Sequence, residues 1–159
     1  MSASWDGFRA LLHEESRLLG DLNQAALALT DALVANDLQR INAAERRLEA
    51  ARILHQEGKN RRSRMQRAGF GELTLEQVCA YAPGPMRRLF QGLARDLTIR
   101  GISLSITINN NKALILAGME RLQKTVSLIQ EAMTEKTGTY RRRGVVPKPS
   151  GSVIVSRKA

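Results

Sequence analysis

Apolar residues recur every three or four positions along residues 85–136, and this spacing constrains the fold more than any other feature of the sequence. Positions three and four apart share one side of an α-helix, so the spacing predicts a single long helix there. A shorter pattern competes within 102–108, where isoleucine and leucine alternate with serine and threonine as in a strand. Because no partner strand is evident elsewhere in the chain, we favour the helix.

Two earlier segments show the same spacing and predict long helices over about 5–35 and 37–67. Asn36 is the predicted N-cap of the second helix. The first carries a heptad-like series with one polar member, and its residues are Leu11, Glu15, Leu18, Leu22, Ala25 and Leu29. A capping box of Thr74 and Gln77 predicts a short helix over about 75–82.

Together these segments predict an all-α fold, an elongated antiparallel bundle of three long helices plus one short helix over residues 1–136. The remaining residues, 137–159, contain six basic and no acidic side chains and cannot bury a core. We therefore expect a mobile, basic C-terminal tail. Its apolar cluster at 153–155 is either a docking segment or an ordinary chain end.

The chain is strongly basic, with 25 Lys and Arg against 15 Asp and Glu and a net charge of +10. Such a charge suits acidic partners such as nucleic acid, a membrane surface or an acidic protein. A polar run at 59–67 concentrates part of this charge. It is either a nucleic-acid contact or a solvated helical face, and the second is favoured because no aromatic side chains interleave to stack on bases.

The sequence contains no recognisable catalytic or metal-binding motif. Cys79 is the only cysteine, which excludes a disulfide framework and a cysteine-based zinc site. His13 and His55 lie far apart, and no catalytic or phosphate-binding motif is present. We therefore expect a protein that is not an enzyme and has no metal, cofactor or small-molecule substrate. Without a secretion signal or a membrane-spanning stretch, a cytoplasmic location is expected.

The last long helix carries more apolar residues than one packed face requires. One side can pack on the first two helices, which leaves the other for a partner chain or for self-association, unless both sides are core. The anchors of the extra stripe follow helical spacing and are Ile115, Met119, Leu122, Val126, Ile129 and Met133.

The segment 110–121 (Asn-Asn-Lys-Ala-Leu-Ile-Leu-Ala-Gly-Met-Glu-Arg) is followed by helix and then by Tyr140-x-x-x-Gly144. In these elements, and in its order of two helices, a break and then one long helix, the chain resembles the FlgN family of flagellar secretion chaperones. Arg141-Arg142-Arg143 stands where the family commonly has small or acidic residues between that Tyr and Gly.

The resemblance implies a coiled-coil-like helical chaperone of bacterial flagellum biogenesis and type III secretion. Its clients would be the C-terminal helical segments of hook–filament junction proteins of the FlgK and FlgL kind, and Tyr140 would dock on a FliJ-like component of the export apparatus. The implied partner-binding residues are Asn111, Leu114, Ile115, Met119, Leu122, Val126, Ile129, Met133, Tyr140 and Gly144. The alternative is a small basic helical protein that binds nucleic acid, and a homo-oligomer stays open.

Overall fold

The structure, a computed structural model, describes the backbone of residues 2–140 and the side chains of residues 5–134. These residues form four helices and no strand, so the predicted all-α fold is confirmed. The helices are α1 (Ser2–Ala35), α2 (Leu38–Phe70), α3 (Leu75–Tyr81) and α4 (Gly84–Tyr140).

Residues 102–108 lie inside α4, so the helical interpretation of that segment is confirmed. The first residues of the predicted tail, 137–140, belong to α4 as well, whereas 141–159 lie outside the described residues. None of the helices in the described part of the chain is long and apolar enough to cross a membrane.

The chain divides into two compact units, Met1–Ala117 and Gly118–Ala159. Helices α1, α2 and α3 and the first part of α4 build the first unit. The described part of the second unit is the remainder of α4.

Helices α1 and α2 form an antiparallel hairpin with a two-residue turn. Asn36 adopts φ 52°, a left-handed conformation that asparagine tolerates better than most residues, and this reverses the chain. The carboxylate of Asp37 then accepts the backbone N–H groups of Gln39 and Arg40 at 3.0 and 3.1 Å. The prediction that Asn36 caps α2 is therefore wrong, because Asn36 serves the turn and Asp37 is the cap.

Four of the chain's few aromatic rings pack together at one end of the first unit. Trp5 and Phe8 of α1 meet Phe70 at the end of α2 with ring centroids 4.7 and 5.4 Å apart. Both also contact Phe90 near the start of α4, at 5.3 and 6.0 Å. Edge and offset contacts of this kind add to the apolar burial. The cluster therefore joins α1, α2 and α4 at the end of the bundle where α1 and α4 begin and α2 ends.

Helix α3 closes the same end of the core. The capping box is confirmed: the Thr74 hydroxyl accepts the Gln77 N–H, and the Gln77 side chain accepts the Thr74 N–H. Val78 and Cys79 are fully buried against the aromatic cluster. Burial raises the pKa of the Cys79 thiol, as expected of a cysteine that acts as a small apolar side chain.

Helix α4 runs parallel to α1 within the first unit. Hydrogen-bonded side-chain pairs join the two helices, among them Ser16–Asp96, Asn23–Ser103 and Thr30–Asn111. Their sequence separations of 80, 80 and 81 are nearly constant, as parallel helices require. We call these pairs the polar ladder. Since α2 is antiparallel to α1, successive long helices alternate in direction.

The polar member of the first heptad series, Glu15, is buried and faces α2. Arg62 donates to both of its carboxylate oxygens, at 2.7 and 3.2 Å, and also to Gln66. Gln66 in turn donates to the Leu73 carbonyl. The end of α2 is therefore not a purely solvated helix, because Arg62 and Gln66 belong to a buried polar network.

Candidate partner-binding surface

Asn111 lies inside the first unit rather than on its surface. Asn111 is 4% exposed, and its side-chain N–H₂ donates to the Ala26 carbonyl at 2.9 Å. Its side-chain oxygen accepts from the Thr30 hydroxyl at 2.7 Å. Both the N–H₂ and the oxygen of the amide thus help to hold α4 against α1, and we leave Asn111 out of the proposed binding surface.

Leu114 and Ile115 also belong to the first unit but differ in burial. Leu114 is partly buried, whereas Ile115 is exposed. The α1–α2 turn at 36–37 explains the change. With the separation of about 80 residues seen in the polar ladder, α1 ends level with residues 115–116 of α4.

In the second unit, every described side chain from 118 to 134 is exposed. Five of them are large apolar residues at helical spacing, and we call them the distal stripe: Met119, Leu122, Val126, Ile129 and Met133. Each is exposed by half or more, and Leu122 reaches 67%. Residues three and four apart share one side of a helix, so the distal stripe is a continuous apolar strip.

The last two predicted residues are Tyr140 and Gly144. Tyr140 is the final residue of α4, and only its backbone is described. Gly144 lies outside the described residues.

The described residues contain no cluster of three His, Cys, Asp or Glu side chains that could hold a metal ion. His55 is partly buried, and desolvation lowers its pKa, opposed by the nearby charge of Glu15 and assisted by Lys59. His55 and Cys79 belong to the first unit, whereas the distal stripe belongs to the second. The distal stripe is suited to covering apolar surface on another chain.

The basic run at 59–67 is less available than the sequence suggests. Arg61 pairs with Glu14 at 2.8 Å, and Arg62 is held in the buried pair with Glu15. Lys59, Arg64 and Arg67 remain exposed. The intramolecular pairs weaken the nucleic-acid alternative, because phosphate binding relies on free cationic side chains.

A second exposed set of apolar residues was missed by reasoning from the sequence. We call it the isoleucine face: Ile99, Ile102 and Ile106 of the first unit are all more than half exposed. The strand-like alternation within 102–108 was the signal for it. Leu104 packs against the core while Ile102 and Ile106 on either side of it do not.

Comparison with protein-family models identifies the family of the chain. A family model described as FlgN protein matches residues 1–148, which include all four helices. Neither a protein of curated function nor a solved structure matches the chain. Because the family model covers nearly the whole chain, the chain belongs to the FlgN family of flagellar export chaperones.

Proposed function

We propose that the distal stripe binds the C-terminal helical segments of hook–filament junction proteins of the FlgK and FlgL kind. Binding takes place in the cytoplasm, and the chain then delivers its client to the flagellar export apparatus. The observation that carries the proposal is the exposure of the distal stripe, since a run of large apolar side chains at helical spacing is the typical recognition surface for an amphipathic helix.

The expected strength of this contact follows from the exposed area. Burying a fully exposed leucine or isoleucine side chain contributes roughly 1.5–3 kcal/mol. Leu122 and Ile129 are 67% and 55% exposed, so each can contribute about 1–2 kcal/mol when a client covers it. Part of this gain is offset by the ordering of both partners, which favours a reversible complex. Reversibility suits a chaperone that must release its client.

The experiment is a calorimetric titration. The full chain is titrated with a synthetic peptide that corresponds to the C-terminal helix of a FlgK-like protein. Leu122→Asp and Ile129→Asp are expected to weaken binding more than tenfold, because each places a charge in an apolar contact. Ser127→Asp is the matched control, since Ser127 is exposed on the same helix and outside the distal stripe. It is expected to leave the affinity within about twofold.

These substitutions are expected not to unfold the first unit, because Leu122 and Ile129 are exposed and belong to the second unit. Circular dichroism on each variant checks this. Unchanged client binding by Leu122→Asp and Ile129→Asp would contradict the proposal. Binding that is lost between low and high salt would instead favour a charge-driven contact, as the nucleic-acid alternative requires.

Delivery is proposed to use Tyr140 and Gly144, with a FliJ-like component of the export apparatus as the partner. Family membership supports this part of the proposal. Tyr140→Ala is expected to keep client affinity within about twofold while lowering the amount of exported client in a flagellated strain. A parallel loss of client binding and export would refute the separation of the two roles.

A further inference from the structure

A second surface of α4, separate from the distal stripe, lies in the first unit. Its residues follow one another at intervals of three and four, so they share one side of the helix. All of them are exposed, and they are Arg88, Gly92, Arg95, Ile99, Ile102 and Ile106. We call this the proximal face; it has arginines at one end and the isoleucine face at the other.

The inward side of α4 at the same level is polar. Ser103 and Thr107 meet Asn23 of α1, and Asn111 bonds to Thr30 and to the Ala26 carbonyl. These hydrogen bonds, one buried and the others partly buried, are satisfied together in only one rotation of the helix. The polar ladder therefore fixes α4 with its isoleucines turned outward. An ordinary amphipathic helix would place its isoleucines inward and its serine and threonine outward.

The chain's own helix α3 shows how a helix docks beside this surface. Glu76 and Cys79 of α3 line a shallow groove together with Gln91, Arg95 and Thr98 of α4. Along α4 this groove reaches Thr98, and the isoleucine face begins at the next residue. A helix of another chain laid on α4 next to this groove would cover Ile99, Ile102 and Ile106.

The charges of the proximal face specify the partner further. Arg88 and Arg95 take part in none of the ion pairs formed by the described side chains, whereas Arg100 is paired with Asp96 at 2.8 Å. Within 85–112 the sequence has five basic residues and one acidic residue, and that acid is Asp96. Glu76 of α3 lies in the same groove as Arg95, which is the charge arrangement that an incoming acidic helix would repeat.

Gly92 supports the same interpretation. Apart from its two chain neighbours and the backbone of its own helical turn, no described atom lies within 4 Å of the position that a Cβ would occupy there, so packing against other parts of the chain does not require glycine. Glycine in a helix interior costs about 1 kcal/mol relative to alanine. A close approach by another backbone is the usual benefit of such a residue.

We propose that the proximal face binds an amphipathic helix of a partner protein, with apolar residues over the three isoleucines and acidic residues against Arg88 and Arg95. The proximal face and the distal stripe share no residue, so we expect each contact to form without the other.

The test uses two synthetic peptides of about 18 residues, five helical turns, and the full chain. Both carry leucines at i, i+3, i+7 and i+10. One has glutamates at one end, and the other has lysines at the same positions. Fluorescence anisotropy is expected to give at least about tenfold tighter binding for the glutamate peptide. Ile102→Ser and Ile106→Ser are expected to weaken it about tenfold each, and Arg95→Glu to reverse the preference between the peptides.

Leu122→Asp is the control for the distal stripe, and it is expected to keep the affinity for the glutamate peptide within about twofold. Equal affinity for both peptides would overturn the proposal. Loss of binding by Leu122→Asp with no effect of Ile102→Ser would show that the peptide binds the distal stripe instead. Sedimentation that shows a dimer abolished by Ile102→Ser would show that a second copy covers this face. Client binding measured on Ile102→Ser keeps this test separate from that of the proposed function.

Discussion

The buried pair of Glu15 and Arg62 gives the sharpest prediction about stability. The two side chains are 6% and 12% exposed, and two hydrogen bonds of 2.7 and 3.2 Å join them. Arg62→Met leaves the Glu15 carboxylate buried without its hydrogen-bond donor. Removing one partner of a buried pair typically lowers the free energy of unfolding by about 3–5 kcal/mol. We expect a value in this range, which is a large part of a small domain's stability.

The pair formed by Arg61 and Glu14 is a matched control one residue away. Its side chains are 48% and 33% exposed, so its charges remain solvated when it is broken. Arg61→Met is expected to change the free energy of unfolding by less than about 1 kcal/mol. The difference between the two methionine variants therefore isolates the effect of burial.

The double variant Glu15→Leu with Arg62→Met completes the argument. Replacing both partners by apolar residues of similar volume is often neutral or stabilising. Because Glu15 interrupts a series of leucines facing α2, we expect the double variant to recover to within about 1 kcal/mol of the unaltered chain. Its recovery would show that the charge left unpaired, rather than lost side-chain volume, causes the defect of the single variant.

Urea unfolding followed by the fluorescence of Trp5 suits this measurement, because Trp5 is the only tryptophan and lies in the aromatic cluster of the first unit. The slopes of the unfolding curves must agree between variants for the comparison to hold. If Arg62→Met is no less stable than Arg61→Met, the reasoning from burial is refuted.

Two further predictions concern the same unit. Asn111→Ala removes one hydrogen bond of the polar ladder and a second to the Ala26 carbonyl, and we expect the free energy of unfolding in urea to fall by about 1–3 kcal/mol; an unchanged value would mean that these bonds do not hold α4. Burial holds the pKa of His55 below 6.5, so the native state binds this proton less tightly than the unfolded chain does. Stability contributed by neutral His55 is therefore present above about pH 6.5 and is lost as pH falls below it. His55→Gln should flatten this part of the pH dependence measured by urea unfolding, and an identical pH dependence in both proteins would contradict the assignment.

Much of the helical architecture was predictable because helix formation depends on local spacing. The apolar periodicity indicated three long helices, and the Thr74–Gln77 capping box indicated the short one. Side-chain partners were not predictable in this way. Glu15 looked like a defect in an apolar series, since its partner Arg62 is 47 residues away. Asn111 looked like a surface residue for the same reason, because Thr30 is 81 residues away.

The two candidate surfaces were also only partly predictable from the sequence. The distal stripe follows from the sequence as a row of apolar residues, yet only the structure shows that these side chains are exposed. For the isoleucine face, the sequence contained the signal but not its interpretation. Leu104 is packed against the core while Ile102 and Ile106 are exposed, and that choice depends on how α4 is rotated against α1.

The sequence by itself determined where helices form, because the spacing of apolar residues and the capping side chains act over a few residues. It also carried the features by which the family is recognised. Only the tertiary structure decided which side of each helix is used internally and which is left for partners. The physical reason is that burial and hydrogen bonding join residues far apart in the chain, and a row of apolar residues looks the same in sequence whether its own chain covers it or not.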